Sequence, residues 1–153
     1  MKKVSIIIPI YKAEDFIEEC AISLFSQTYE NIEYLFVNDC TPDNSIEILK
    51  ETLTHFPKRQ NQVKVITQNH NQGQAAARNK ALDTFTGDFV AFVDSDDYLT
   101  DINIIADTVS ILEGDPSIGF IQFPCYKDGK TFNKKDVFVD NIPEMYKLWI
   151  NGK

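Results

Sequence analysis

Short apolar runs alternate along this chain with longer segments in which apolar residues recur at helical spacing. The first run, Val4 to Ile10, is nearly all apolar and rich in β-branched residues, which is typical of a strand buried on both faces. The run from Phe89 to Val93 has the same character and predicts another buried strand. The remaining runs predict strands at residues 32–37, 63–67 and 118–123.

The segments between these runs predict amphipathic helices. In the first of them, Phe16, Cys20 and Leu24 recur at steps of four and predict its buried face. The predicted helices cover residues 14–27, 41–56, 71–85, 100–113 and 143–150. Strands that alternate with helices in this way predict right-handed βαβ units, and therefore an α/β fold with a mostly parallel sheet and helices on both faces.

Local signals mark where two helices begin and where one hairpin turns. Thr41 followed by Pro42 predicts a helix with Thr41 as its N-cap and Pro42 in the first helical position. Asn71 and Gln74 have the spacing of a capping box at the start of an Ala-rich helix. Asp128-Gly129 predicts a tight hairpin turn near the end of the chain.

The charge balance argues against two classes of function. With 15 basic and 23 acidic side chains the net charge is −8, which disfavours binding to nucleic-acid phosphates or to an anionic membrane surface. The apolar runs are too short to span a bilayer, and the opening residues lack the features of a signal peptide. At 153 residues the chain has the size of one domain. We therefore expect a single cytoplasmic domain that reaches the inner face of a membrane only through partners.

The cysteines and histidines do not form a zinc motif. Three cysteines and two histidines are scattered without the spacing of a zinc site. The odd number of cysteines suits a reducing compartment, and we expect Cys20, Cys40 and Cys125 to be buried thiols.

Acidic residues follow two of the predicted strands. The second strand ends in Asn38-Asp39, and the fourth ends in Asp94-Ser95-Asp96-Asp97. In parallel α/β sheets ligands bind beyond the carboxyl ends of the strands. Three carboxylates in four residues repel one another unless they are solvated or bound to a cation. Carboxylates suit Mg²⁺ or Mn²⁺ that bridges to a substrate phosphate, whereas the alternative is a solvated turn that caps the following helix.

Four segments resemble the motifs of family 2 glycosyltransferases, in the same order and with similar spacing. They are VSIIIPIYKAEDFIEEC, SLFSQTYENIEYLFVNDCTPDNS, NHNQGQAAARNKAL and GDFVAFVDSDDYL, and together they cover roughly residues 3 to 100. The resemblance implies a Rossmann-like GT-A fold. It also implies that the chain holds the N-terminal, nucleotide-sugar-binding part of such an enzyme, in a single domain over residues 1–153 that lacks the C-terminal acceptor-binding part.

The resemblance also assigns residues to the base pocket. Pro9, Tyr11 and Asp39 shape this pocket, where Asp39 accepts a hydrogen bond from a uracil-like imide N–H, because an ionised carboxylate is only an acceptor. Glu14 matches a family acid near the pocket. The residues themselves leave open that Tyr11 packs in the core and that Glu14 is a first-turn helix acid.

A second group of residues is implied to contact the rest of the donor. Gly73 allows the backbone to approach a ligand beside a helix N-terminus, which favours anions. Arg78 reaches the base or the diphosphate, with a surface ion pair as the alternative. Asp94 and Asp96 contact the ribose and the metal, and Asp97 is the other metal ligand.

This sequence departs from the family pattern close to the base pocket. Lys12 stands where the family usually has Asn, and Asn38 replaces the first acid of an Asp-Asp pair. Cys40 and Pro42 replace residues of the usual Gly-Ser-Thr turn, although Thr41 and Asp43 keep its capping chemistry.

The resemblance implies an inverting glycosyltransferase. Such an enzyme moves a sugar from a nucleotide-diphosphate donor, here a UDP-sugar, to a hydroxyl of a carbohydrate or lipid-linked acceptor, with Mn²⁺ or Mg²⁺ as cofactor. The alternative is a nucleotide-sugar-binding module that is catalytically incomplete, because the family's acceptor side and general base lie beyond the metal motif. The later acids Asp136, Asp140 and Glu144 are available as bases, but no motif marks them.

Two other nucleotide-binding classes fit poorly. A nucleotidyltransferase needs a Gly-rich basic loop after the first strand, and a dinucleotide-binding domain needs G-x-G-x-x-G, and neither pattern occurs. If the acceptor half is missing, apolar surface is left exposed and favours self-association. The residues expected to form that surface are Phe132, Phe138, Tyr146 and Trp149.

Overall fold

Four parallel strands form the central sheet of the computed structural model. They are β1 (Val4–Ile10), β2 (Ile32–Asn38), β3 (Val63–Thr67) and β4 (Phe89–Phe92), in the order β3-β2-β1-β4. Val4 lies opposite both Ile32 and Phe89, which places the carboxyl ends of β1, β2 and β4 at the same edge of the sheet. The predicted α/β fold with a parallel sheet is confirmed.

The structure describes residues 1–119, 121, 126–127 and 130–131. Its helices are α1 (Ile17–Phe25), α2 (Ser45–Thr54), α3 (Gln74–Leu82) and α4 (Ile104–Gly114), with a 3₁₀ helix at Pro57–Gln62. The chain divides into two compact units, Met1–Ala106 and Asp107–Lys153. None of the helices in the described part of the chain is long and apolar enough to cross a membrane.

Each face of the sheet packs against its own helix. On one face Leu35 and Val37 join Ala77 and Ala81 of α3 in a fully buried cluster. On the other face the ring of Phe25, at the end of α1, lies 5.2 Å from Tyr34 and 6.1 Å from Phe36. Since successive residues of a strand point to opposite faces, α1 and α3 cover opposite sides of the sheet, as predicted.

A buried carboxylate closes the end of the sheet where β1 and β2 begin. Glu33 is 3% exposed and accepts hydrogen bonds from Ser5 Oγ at 2.6 Å, Thr86 N at 2.5 Å and Lys3 Nζ at 3.3 Å. Burial alone raises the pKa of Glu33, but these hydrogen bonds outweigh it and lower the pKa to about 2. The carboxylate therefore links β1, β2 and the turn before β4.

Two predicted helix starts are wrong. α2 begins at Ser45 rather than after Thr41, since Thr41 Oγ1 accepts the backbone N–H of Lys12 at 2.7 Å. α3 has Gly73 as its N-cap and no side-chain capping bond, so the predicted capping box is absent.

Two predicted strands also differ from the structure. β4 is only half-buried rather than buried, and Phe92 is 39% exposed, because β4 forms an edge of the sheet among the described residues. The predicted strand at 118–123 is not formed at residues 118, 119 and 121, and its other residues lie outside the described part.

Other predictions near the end of the chain are tested only in part. Tyr126–Lys127 pairs antiparallel with Lys130–Thr131, as a hairpin requires, while Asp128-Gly129 itself lies outside the described residues. The predicted helix at 143–150 and the apolar and acidic residues named after position 131 also lie outside them.

Candidate functional site

An open cleft of about 370 Å³ lies beyond the carboxyl ends of β1, β2 and β4. It is lined by residues that follow β1 and β2, by the start of α3 and by the acidic turn after β4. These residues are Pro9, Ile10, Tyr11, Lys12, Ala13, Phe16, Asp39, Asn71, Gly73, Gln74, Asp94, Ser95 and Asp96. Of the predicted site residues, the cleft brings together Pro9, Tyr11, Asp39, Gly73, Asp94 and Asp96.

Asp39 is the most buried acid of the cleft, at 2% exposed. Its Oδ1 accepts hydrogen bonds from Gln68 Nε2 at 2.6 Å and from the backbone N–H of Gln72 at 2.8 Å. Its Oδ2 accepts the backbone N–H of Gly73 at 2.8 Å. Gly73 has a φ of 87°, which glycine adopts without strain. The carboxylate therefore fixes the loop that leads into α3.

Asp94 is held from the side of α3. Its Oδ1 accepts a hydrogen bond from Gln74 Nε2 at 2.7 Å and another from the guanidinium of Arg78. The same guanidinium lies 5.5 Å from the centre of the Phe92 ring. Arg78 is not among the residues that line the cleft. The structure thus shows it in the ion pair that the sequence left open as the alternative role.

Asp96 and Asp97 differ in their position relative to the cleft. Asp96 is exposed and lines the cleft, whereas Asp97 is exposed but does not line it. Partial burial, and then the charges of Asp96 and Asp94, raise the pKa of Asp97. The smaller, like-charge part of this effect is the repulsion that a bound cation would relieve.

The acidic turn is not a complete metal cage. Among the residues that the structure describes, no three His, Cys, Asp or Glu side chains are placed to share an ion. Mg²⁺, however, is often held by one or two carboxylates together with substrate phosphates. Asp96 at the cleft fits that kind of site.

Tyr11 and Phe16 supply exposed aromatic surface to the cleft. Tyr11 is 44% exposed, so it does not pack in the core, and Lys12 Nζ lies 5.5 Å from the centre of its ring. Phe16 is 49% exposed and precedes α1, so its predicted place on the buried face of the helix is wrong. The sequence spacing could not show this, because Phe16 stands one residue before the helix.

A network of hydrogen bonds holds the loop after β1 against the loop before α2. Asp43 accepts hydrogen bonds from Thr41 Oγ1 and Ser45 Oγ, each at 2.6 Å, and from Glu14 N at 3.0 Å. Burial raises the pKa of Asp43, but these bonds prevail and lower it to about 2. The Glu14 carboxylate accepts the backbone N–H of Asn44 at 3.1 Å. Glu14 therefore contacts the start of α2 and is not among the residues lining the cleft.

The described cysteines differ in exposure. Cys20 is buried as predicted, and its burial together with the nearby charges of Asp97, Asp96 and Asp94 raises its pKa to about 12. Cys40 is exposed, contrary to prediction, because it follows β2 in a loop. Cys125 lies outside the described residues.

Comparison with known proteins decides the family. The family model described as glycosyl transferase family 2 matches residues 5–149. The chain belongs to glycosyl transferase family 2. Among curated relatives, the uncharacterized glycosyltransferase EpsJ of Bacillus subtilis is 45% identical over 97 residues, which are 63% of this chain and 27% of EpsJ. The chain thus matches about a quarter of the length of that family member.

Solved structures confirm the GT-A fold of this family 2 chain. TarS 1-349 of S. aureus in complex with UDP superposes with a TM-score of 0.66 and 32% identity, over 76% of this chain and 33% of the TarS 1-349 chain. The mannosyltransferase PcManGT of Pyrobaculum calidifontis, in complex with GDP-Man and Mn²⁺, gives a TM-score of 0.71 and 25% identity, over 77% and 34% of the two chains. The matched part of the chain therefore spans about a third of each of these two solved chains.

Proposed function

We propose that the cleft binds a nucleotide-diphosphate sugar, with uridine as the base, and that the chain is the donor-binding part of an inverting glycosyltransferase. The observation that carries the proposal is the gathering of six predicted donor-site residues around one cleft at the carboxyl ends of parallel strands. The acceptor in this proposal is a hydroxyl of a carbohydrate or of a lipid-linked carbohydrate.

The base occupies the end of the cleft formed by Pro9, Tyr11 and Asp39. A carboxylate offers about four lone-pair positions, and three of those of Asp39 are used within the protein. The remaining position, on Oδ2, accepts an N–H from the base. Uracil has such an imide N–H, and the exposed ring of Tyr11 provides a surface for stacking. The binding of UDP by TarS supports this assignment.

The diphosphate lies toward the acidic turn. The net charge of −8 and the carboxylates of the cleft would repel a diphosphate unless a cation lay between them. Asp96, with Asp97 beside it, would hold Mn²⁺ or Mg²⁺, and Asp94 would contact the ribose. A bound metal stabilises negative charge on the departing diphosphate. The Mn²⁺ in the PcManGT complex supports the choice of cofactor.

A donor-binding module without transfer activity is the second candidate. The acids that line the described cleft are Asp39, Asp94 and Asp96, and the proposal uses each of them for the donor. The described residues therefore provide no separate carboxylate in the cleft to serve as the acceptor's general base. Assays of UDP-sugar consumption with and without an acceptor distinguish the two candidates, because only the transferase forms a glycosylated product.

Calorimetry with UDP tests the donor site directly. In the unmodified chain, UDP should bind at least about tenfold more tightly with Mn²⁺ than with chelator, which corresponds to about 1.4 kcal/mol of binding free energy. Asp96→Asn should abolish this metal dependence, and it should leave the affinity in chelator unchanged or slightly higher, because it removes a carboxylate that repels the diphosphate. Asp15→Asn, an exposed change outside the cleft, is the matched control. Equal binding with and without metal in the unmodified chain would remove the metal-bridged account.

A further inference from the structure

Gln68 is a buried amide that contacts the proposed base-binding carboxylate without lining the cleft itself. It is 7% exposed and follows β3. Its Nε2 donates to Asp39 Oδ1 at 2.6 Å. No motif in the sequence singles out this residue, because its importance arises only when β2 and β3 are paired.

The position of Gln68 is fixed from two sides. Its backbone N–H donates to Asn38 O at 2.9 Å, which extends the pairing of β2 with β3 by one residue. Its side-chain Oε1 accepts a hydrogen bond from Gln72 Nε2 at 3.0 Å. With Oε1 engaged in this way, the amide nitrogen is the atom that faces Asp39.

All three protein partners of the Asp39 carboxylate are hydrogen-bond donors. Gln68 and the backbone of Gln72 occupy Oδ1, and the backbone of Gly73 takes one position on Oδ2. Such an arrangement keeps the carboxylate an acceptor and restricts what it offers a ligand to one acceptor position on Oδ2. A base edge with an N–H fits this position, whereas cytosine in the same pose directs its N3 acceptor at Oδ2 and would have to shift to offer its N4 amino group instead.

We propose that Gln68 is a positioning residue for base selectivity, which orients the Asp39 carboxylate so that the cleft selects uracil over cytosine. The inference rests on the proposed function. Gln68 is not expected to touch the nucleotide. It acts through Asp39, by occupying Oδ1 and leaving Oδ2 to the base.

The test is calorimetric titration with UDP and CDP, each with Mn²⁺, of the unmodified chain and of Gln68→Met. Methionine keeps the length of the side chain but lacks the amide donor. We expect UDP affinity to fall about tenfold and CDP affinity to change less than about twofold, because cytosine in the uracil pose has no N–H at N3 to bond with Asp39. Gln60→Met makes the same chemical change at an exposed position and should alter neither affinity.

The alternatives give different results. A merely structural role for Gln68 would weaken UDP and CDP equally, and this outcome would overturn the inference. Equal UDP and CDP affinities in the unmodified chain would also overturn it, together with the choice of uridine as the base, while leaving the binding of a nucleotide-diphosphate sugar standing. Binding of neither nucleotide would instead overturn the proposed function. If Gln68→Met does not fold by circular dichroism, Gln68→Leu, which also removes the amide donor without adding a charge beside Asp39, is expected to give the same loss of selectivity.

Discussion

Lys12, which lines the cleft, and Cys40, which follows the cleft residue Asp39, have strained backbone conformations. Their φ angles are 53° and 56°, in the left-handed region, and they are the non-glycine residues with positive φ among those the structure describes. Each stands where the family pattern usually has a residue that tolerates this region, Asn at position 12 and Gly at position 40. At both positions the sequence therefore departs from the family motif, while the backbone keeps the left-handed conformation that Asn and Gly tolerate.

Cys40→Gly should consequently stabilise the protein. A left-handed conformation costs a non-glycine residue about 1–2 kcal/mol. Glycine removes this cost, but part of the gain is lost because glycine gives the unfolded chain more conformational freedom. We expect a net gain of about 0.5–1 kcal/mol in the free energy of unfolding, measured by urea denaturation. Ser26→Gly, at an exposed position with a φ of −79°, is the control and should lower stability or leave it unchanged.

At the scale of elements, Gly87 allows the turn before β4 to approach β1 closely. A Cβ at this position would lie 2.4 Å from Ser5 Oγ, 2.7 Å from Ser5 N and 2.9 Å from Lys3 O. Two of these atoms belong to the backbone and cannot rotate away. The close approach lets the backbone N–H of Gly87 donate to Ser5 Oγ at 2.9 Å.

Gly87→Ala should therefore destabilise the protein by about 2 kcal/mol, within the usual cost of overpacking. Gly114→Ala is the matched control, because a Cβ at Gly114 meets no atom within 4 Å. It should leave stability unchanged or raise it by up to about 1 kcal/mol. Denaturant unfolding of both variants makes the comparison, and equal effects would show that the contact with Ser5 and Lys3 is unimportant.

Through Glu33, the stability of the junction between β1, β2 and the turn before β4 depends on pH. Its pKa falls from an ordinary value of 4.5 to about 2 on folding, so its contribution is complete above about pH 4.5 and is lost as the pH falls toward 2. At neutral pH this contribution is about 2–3 kcal/mol. Glu33→Gln should lower stability by about this amount at pH 7 and should flatten its decline between pH 5 and 2. The exposed Glu51→Gln should change neither, and a decline as steep in Glu33→Gln as in the unmodified chain would contradict the assignment.

The elements differ in how well the sequence predicts them. The bounds of β1, β2 and β3 follow from their runs of apolar and β-branched residues to within one residue, because β1 and β2 are buried along nearly their whole length and β3 is rich in β-branched residues. The start of α2 does not follow, since Thr41 bonds to a loop 29 residues earlier in the chain. Local sequence predicts a cap there, but the hydroxyl is used in a tertiary contact.

The same distinction applies to the site. Six residues that line the cleft could be predicted, because they lie at or just after the ends of strands or before a helix, in recognisable motifs. Gln68 and Gln74 were missed, since each acts on a carboxylate that lies far from it in the sequence. Motifs identify the groups that face the ligand, whereas the groups that orient them become visible only in three dimensions.

At the scale of the whole molecule, the net negative charge disfavours binding of the proposed diphosphate ligand. The net charge of −8 repels a diphosphate over distances comparable to the Debye length, which is about 30 Å in 10 mM salt and about 8 Å in 150 mM salt. Lys12 is the one cationic side chain among the described residues that line the cleft. Without a divalent metal, repulsion from the whole chain should therefore exceed local attraction.

This balance predicts an unusual salt dependence for UDP binding. In chelator, raising the salt from about 10 mM to about 150 mM should strengthen UDP binding about threefold, because salt screens the repulsion. With Mn²⁺ present the dependence should become weaker, since the metal neutralises part of the local negative charge. Uridine, which carries no phosphate, is the control and should bind equally at both salt concentrations. Weaker UDP binding at higher salt in chelator would mean that attraction to cations such as Lys12 governs the site, and that the acidic turn does not need a metal to admit the diphosphate.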